Sequence, residues 1–267
     1  MGPDQIPCDD PEKFRVSGIG IVAAMRVEAR CITSRRLPFN QRISLGENAS
    51  IWLCGMGEEA ARGAAEGLRA GGATALMSFG FAGALHADLH PGDLILPESI
   101  RFGRSFEVDL SWRDRLRQHL PGYLRIGGGV LAASRTVVTS TAAKRELAHT
   151  EEACAVDMES GAVAEVAARG DLPFLAIRAI SDPAGFSPPP ALLDAVRQDG
   201  SADLSRLLPL LLRRSLTVAT LLRLAKDSRA ACSTLSTVVR YAGAEMGISR
   251  NRPGSAQGYA VDQGRQA

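Results

Sequence analysis

Two kinds of apolar pattern alternate along the chain. Short, nearly uninterrupted apolar runs at 18–24, 50–54, 74–79, 94–96, 127–138 and 174–180 predict buried strands. Runs with helical spacing predict helices at 58–69, 141–149, 192–197 and from 204 to about 229. A further helix carries the stripe Met158, Ala162, Val163, Val166 and Ala167 and ends at Gly170. Two strands run into glycine turns, Gly55-Met56-Gly57 and Gly80-Phe81-Ala82-Gly83. Strand, glycine turn and helix in succession predict an α/β fold, a three-layer domain around a central mixed, mainly parallel sheet. Residues 101–118 are dense in charge and read as a surface excursion with a short helix holding Trp112. The prolines of residues 1–15 and the lack of periodicity there predict a loose arm. Serine, threonine and glycine beyond Ser233 predict a mobile tail over 231–267, which leaves one domain at 16–230.

Composition narrows the function classes. With 267 residues, 45% of them hydrophobic and 22% charged, the chain can bury a substantial core. A formal net charge of +2 and the absence of interleaved aromatic and basic residues speak against a nucleic-acid partner. The five cysteines, Cys8, Cys31, Cys54, Cys154 and Cys232, form no CxxC or Cys/His spacing and read as reduced, mostly buried thiols. Neither a signal peptide nor a membrane-spanning run is apparent, so the expected location is cytoplasmic. Leucines interrupted by Arg206, Arg213, Arg214, Arg223, Lys226 and Arg229 fit a helix packed on the sheet with a solvated basic face, or a helix lying on a membrane surface.

The chemistry concentrates at strand ends. Residues 154–182 place Asp157 and Glu159 at a helix start and Ser181-Asp182 just beyond a strand, while Met25, Arg26 and Glu28 follow the first strand. Capping of the helix accounts for acids at its start, and Glu28 alone is an ordinary first-turn acid. Asp182 shifts the balance, because open α/β sheets bind ligands outside the carboxyl ends of their strands. The Gly55-Met56-Gly57 turn lets a backbone approach a ligand, yet it lacks the third glycine and acid of a dinucleotide site and the lysine of a P-loop. No cofactor is therefore implied. The histidines His86, His90, His119 and His149 share no metal-ligand spacing, and no serine stands in a nucleophile elbow.

The segment Val156-Asp157-Met158-Glu159, followed by a helix, a strand and Arg178, Ile180, Ser181 and Asp182, resembles the nucleoside phosphorylase and nucleosidase superfamily. The resemblance is to its 5'-methylthioadenosine/S-adenosylhomocysteine nucleosidase branch. Residues 20–28, 54–57, 79–83 and 91–94 resemble further family motifs in the same order, so the likeness covers about residues 16–225. It implies a purine nucleoside phosphorylase-like fold and N-glycosidic cleavage through an oxocarbenium-like state, with an acid on the leaving base and a base on the opposite face. By this resemblance Asp182 serves N7 of the purine, with its acidity tuned by burial, and Glu28 activates water. Glu159 holds the ribosyl hydroxyls above Met158. Arg178 and Ser181 support the acids, Gly80 and Phe81 form the glycine turn, and Val137 and Val138 line the base.

Ser78 and Phe81 stand where phosphorolytic members carry phosphate ligands, which favours water as nucleophile. Arg26 and Arg135 keep phosphorolysis as the alternative. Met25, Met56 and Met158, with Phe186 or Leu192, imply an adaptable apolar wall at the 5' side of the ribose. Together with AMRVEARC, SDPAG and the leucine- and arginine-rich end, this resembles the hopanoid-associated branch, which removes adenine from adenosylhopane. The implied partner is then a lipid-linked small-molecule nucleoside, with peripheral membrane contact and a homodimer. The housekeeping nucleosidase and a non-catalytic purine nucleoside binder are the alternatives.

Overall fold

The computed structural model describes residues 18–187 and 217–248. Eleven strands among these residues form one sheet. In chain order they are β1 (Ile19–Ala23), β2 (Arg42–Ser44), β3 (Ala49–Leu53), β4 (Ala75–Ala84), β5 (Leu94–Ile95), β6 (Ser99–Phe102), β7 (Arg104–Glu107), β8 (Ile126–Gly127), β9 (Val130–Ala133), β10 (Ala153–Asp157) and β11 (Phe174–Asp182). The helices are α1 (Arg26–Ile32), α2 (Glu58–Ala70), α3 (Leu110–Gln118), α4 (Thr141–Thr150), α5 (Ser160–Arg169) and α6 (Val218–Ala242). Helices α2 and α5 pack together over the sheet, and α1 packs with α6, which lies against β11. The predicted class holds: a mixed, mainly parallel sheet flanked by helices.

The central strand is β4, and its two halves have different neighbours. Its first half pairs with β1 in parallel, Ile19 opposite Ala75 through Val22 opposite Ser78. Its far end pairs with β10 antiparallel, Val156 opposite Gly83 and Ala155 opposite Ala84. The whole of its other edge carries β11, from Phe174 opposite Leu76 to Asp182 opposite Gly83. By this register the carboxyl ends of β1 and β10 meet head to head alongside residues 79–82 of β4. Side chains leaving the two strand ends converge there from opposite directions.

Four expectations are corrected. Gly80-Phe81-Ala82-Gly83 is no turn before a helix but the second half of β4, because its backbone pairs with β11 along its length. Residues 99–107 form an antiparallel hairpin within the sheet, closed at Gly103, whose φ of +68° suits glycine. Their dense charge is strand alternation with Phe106 inward, and Trp112 on α3 is fully buried, so the excursion is largely integral to the domain. The segment before α5 is itself a strand, β10, which places Asp157 on a strand end. Finally, helix α6 runs to Ala242 and a 3-10 turn to Met246, so no tail starts at Ser233. Its buried stripe Ala231, Leu235, Val238 and Ala242 was masked by serine and threonine. Thr234 and Thr237 satisfy their hydroxyls on the carbonyls of Gly92 and Ser233. The expected arm, the helix at 192–197 and the start of the 204–229 helix lie outside the described residues.

Among the described cysteines only Cys54 is buried; Cys31, Cys154 and Cys232 are half-buried, and none is in a disulfide. No described helix is long and apolar enough to cross a membrane.

Candidate active site

Where β1 and β10 meet, a cavity of about 430 Å³ opens. Its floor is built from the predicted acids. Glu28 reaches it from the first turn of α1 and is 2% exposed. Its Oε2 accepts the N–H groups of Ala24 (3.1 Å) and Met25 (2.8 Å), and its Oε1 accepts that of Phe81 (2.8 Å). Burial pushes the Glu28 carboxyl above its usual range, against the opposing pull of Arg178 and the three N–H groups.

Asp157 and Glu159, which share a helix start, divide the work. Asp157 is the capping acid: it accepts the Ser160 N–H at 3.2 Å and the Ser160 hydroxyl at 2.5 Å. It also forms an ion pair of 2.6 Å with Arg178, whose side chain is 1% exposed. Glu159 does no capping. Its Oε1 accepts the Gly57 N–H at 2.9 Å, and its Oε2 lies 3.9 Å from Arg178. Burial raises its carboxyl to about 7, opposed by Arg178 and reinforced by the charges of Asp157 and Glu28. Arg178 thus neutralises a buried acidic group from below, held also by the hydroxyls of Ser78 (2.5 Å) and Ser160 (3.0 Å).

Gly80 explains how these charges fit. A Cβ there would collide with Glu28 Oε1 and Arg178 Nη1, so only a glycine lets carboxylate and guanidinium close over β4. Gly83 leaves close room for Asp182, whose oxygens a Cβ would crowd at 3.1–3.2 Å.

Asp182 departs from expectation. Its side chain is 30% exposed rather than buried, and it is ion-paired with Lys144 of α4, whose side chain is 1% exposed. Lys144 also donates to the Pro183 carbonyl at 3.0 Å, and the Ser181 hydroxyl donates to Asp182 Oδ1 at 3.3 Å. Sequence reasoning missed Lys144. The available signal was its place one turn before Leu147 and Ala148, on the inward face of α4.

The structure brings Met25, Glu28, Met56, Phe81, Val137, Val138, Asp157, Met158, Glu159, Ser181, Asp182 and Phe186 together around the cavity. Gly80 and Arg178 are not on its wall but support it from beneath. Leu224 and Ser228 of α6 complete one side, and sequence reasoning did not anticipate them. Leu192 lies outside the described residues. Neither arginine kept for phosphate lines the cavity. Arg26 stacks on Phe39 at 4.3 Å and donates to the Leu37 carbonyl, while Arg135 stacks on Phe102 at 5.1 Å and pairs with Glu58.

Residues 19–213 match the family model of the phosphorylase superfamily. The chain belongs to that superfamily. Among curated proteins no sequence matches the chain. Among solved structures it is similar to the 5'-methylthioadenosine/S-adenosylhomocysteine nucleosidase of Neisseria meningitidis in complex with methylthio-immucillin-A. That likeness has a TM-score of 0.62 and 18% identity, over 86% of this chain and 98% of the other. It is also similar to futalosine hydrolase of Helicobacter pylori, with a TM-score of 0.61 and 19% identity over 84% of this chain and 98% of the other. At these identities the likeness establishes the fold.

Proposed function

We propose that this phosphorylase-superfamily protein hydrolyses the N-glycosidic bond of a 5'-substituted adenosine and releases adenine, with adenosylhopane as the substrate. The observation that carries this reading is the charge inventory of the cavity. Glu28, Glu159 and Asp182 line one space, and among the described lining residues the one cation is Lys144, already paired with Asp182. A phosphate dianion entering there would face carboxylates, whereas water would find an acceptor in Glu28.

In this reading the C1'–N9 bond breaks with its electron pair passing to the base, which gains a proton at N7 through Asp182, while the oxygen of water bonds to C1'. Glu159 holds the ribosyl hydroxyls over Met158, and Glu28 takes the proton of the attacking water. The raised pKa of Glu28 makes its carboxylate a better proton acceptor, which suits a group that must gain a proton during the reaction. Arg178, Ser181 and Asp157 keep the acids in place from behind.

The 5' substituent is supported by the wall of Met25, Met56, Phe186 and Leu224, which is apolar and adaptable. Exposed Val218 and Leu222, and the basic Arg223, Lys226 and Arg229, share α6 with Leu224. They supply a surface for peripheral membrane contact during uptake of a lipid-linked nucleoside by a cytoplasmic homodimer.

The test is incubation of purified protein with adenosylhopane, methylthioadenosine and S-adenosylhomocysteine, each with and without phosphate, followed by adenine release. Phosphate-independent release from adenosylhopane is expected. Faster turnover of methylthioadenosine would assign the housekeeping activity, and phosphate-dependent release would replace water by phosphate. Tight adenosine binding without adenine release would make the protein a binder.

A further inference from the structure

We propose that Lys144 is a positioning residue for the departing base: it acts only through Asp182, by fixing the orientation of that carboxylate. This inference rests on the nucleosidase reading above.

Three observations carry it. First, Lys144 is a cation with a side chain only 1% exposed, and a buried ammonium persists only where partners compensate its lost hydration. Its partners are Asp182 and the Pro183 carbonyl, two successive positions at the end of β11. Secondly, the two cations at the site serve separate acids. Arg178 pairs with Asp157 and approaches Glu159, at the sugar-holding side, while Lys144 pairs with Asp182. Thirdly, α4 is tied to the segment after β11 at a second point, where the Thr141 N–H donates to the Ser187 hydroxyl at 3.0 Å. Lysine and helix together therefore hold Asp182 and the residues after it as one unit.

The consequences for recognition are specific. With Oδ2 engaged by Lys144 and Oδ1 near the Ser181 hydroxyl, the carboxylate plane of Asp182 is fixed beside the cavity. Without Lys144, the carboxylate can turn toward solvent, to which it is already partly open. The loss should fall on leaving groups that need contact at N7, and spare one that departs unaided.

The test is a double-mutant cycle read on two substrates, a 5'-substituted adenosine and 4-nitrophenyl β-D-ribofuranoside, whose phenolate leaves without such contact. Lys144→Met is expected to lower kcat/KM on the nucleoside by ~10²-fold, the scale of a misplaced catalytic group. On the nitrophenyl riboside the loss should stay below about threefold, within the scatter of independent surface-type effects. In the Asp182→Asn background, Lys144→Met should cause no further loss on the nucleoside. Lys144→Arg, which keeps the charge, should recover part of the activity and reports on the pair even where Lys144→Met folds poorly. Equal losses on both substrates, or additive losses in the cycle, would overturn the proposal and leave Lys144 a structural residue. Failure of the unmutated protein to release adenine from any nucleoside would instead overturn the functional reading on which it rests.

Discussion

The Gly57 N–H and Glu159 Oε1 meet at 2.9 Å although 102 residues separate them, so the glycine turn after β3 and the acid before α5 form one structure. Gly57 adopts φ +101°, a conformation that costs other residues strain.

Glu159 makes stability depend on pH. Its folded-state value of about 7 lies above that of an ordinary glutamate, so the folded protein binds the extra proton between about 4.5 and 7. Stability contributed by this group is therefore lost as pH rises through that window. Thermal denaturation should show Tm falling as pH rises between about 4.5 and 7, and Glu159→Gln should flatten that slope. An unchanged slope in the variant would place the titration elsewhere.

The two outer acids should separate in kinetics. Asp182→Asn is expected to reduce adenine release by about 10²- to 10⁴-fold with the fold intact by circular dichroism. Glu28→Gln should lower hydrolysis on a similar scale, since the amide cannot take a proton from water and its NH2 faces an N–H donor that a carboxylate oxygen now accepts. Wild-type turnover in either variant would show that the wrong acid had been chosen.

Gly80→Ala tests the close approach of Glu28 and Arg178. The added methyl overlaps both side chains, each held by several hydrogen bonds, so neither can yield cheaply. Overpacking of this kind should cost about 1–3 kcal/mol in denaturant unfolding. Activity should fall further than stability predicts, because both displaced groups belong to the site.

Helix α6 beyond Arg229 should contribute to the core. Leu235→Ala removes a fully buried side chain and is expected to destabilise the protein by about 2–5 kcal/mol in urea unfolding. A neutral result would restore the mobile tail expected from composition.

Much of this arrangement was legible in the chain. Buried strands announce themselves by unbroken apolar runs, as at 174–180, and helices by a stripe such as Ala162 to Ala167, because those periods follow from local backbone geometry; Met158, read as the start of that stripe, instead precedes α5 and lines the cavity. Acids at or just past strand ends marked the candidate site, because open α/β sheets bind ligands there. Pairing partners are not local, however, and the readings that failed depended on them. Gly80 to Gly83 looked like a turn until β11 supplied hydrogen bonds along it. Residues 231–242 looked like a tail until β11 and α1 covered their apolar stripe.

The sequence by itself determined the alternating α/β architecture, which follows from spacing along the chain, and the candidate acids, which the family resemblance of their motifs picked out. Only the tertiary structure decided which acid each cation serves. Arg178 lies under Asp157 and Glu159, and Lys144, an unremarked helix lysine, faces Asp182. The physical reason is that buried charge must be neutralised within a few ångströms, and that distance is set by how β4, β10, β11 and α4 pack rather than by neighbours in sequence.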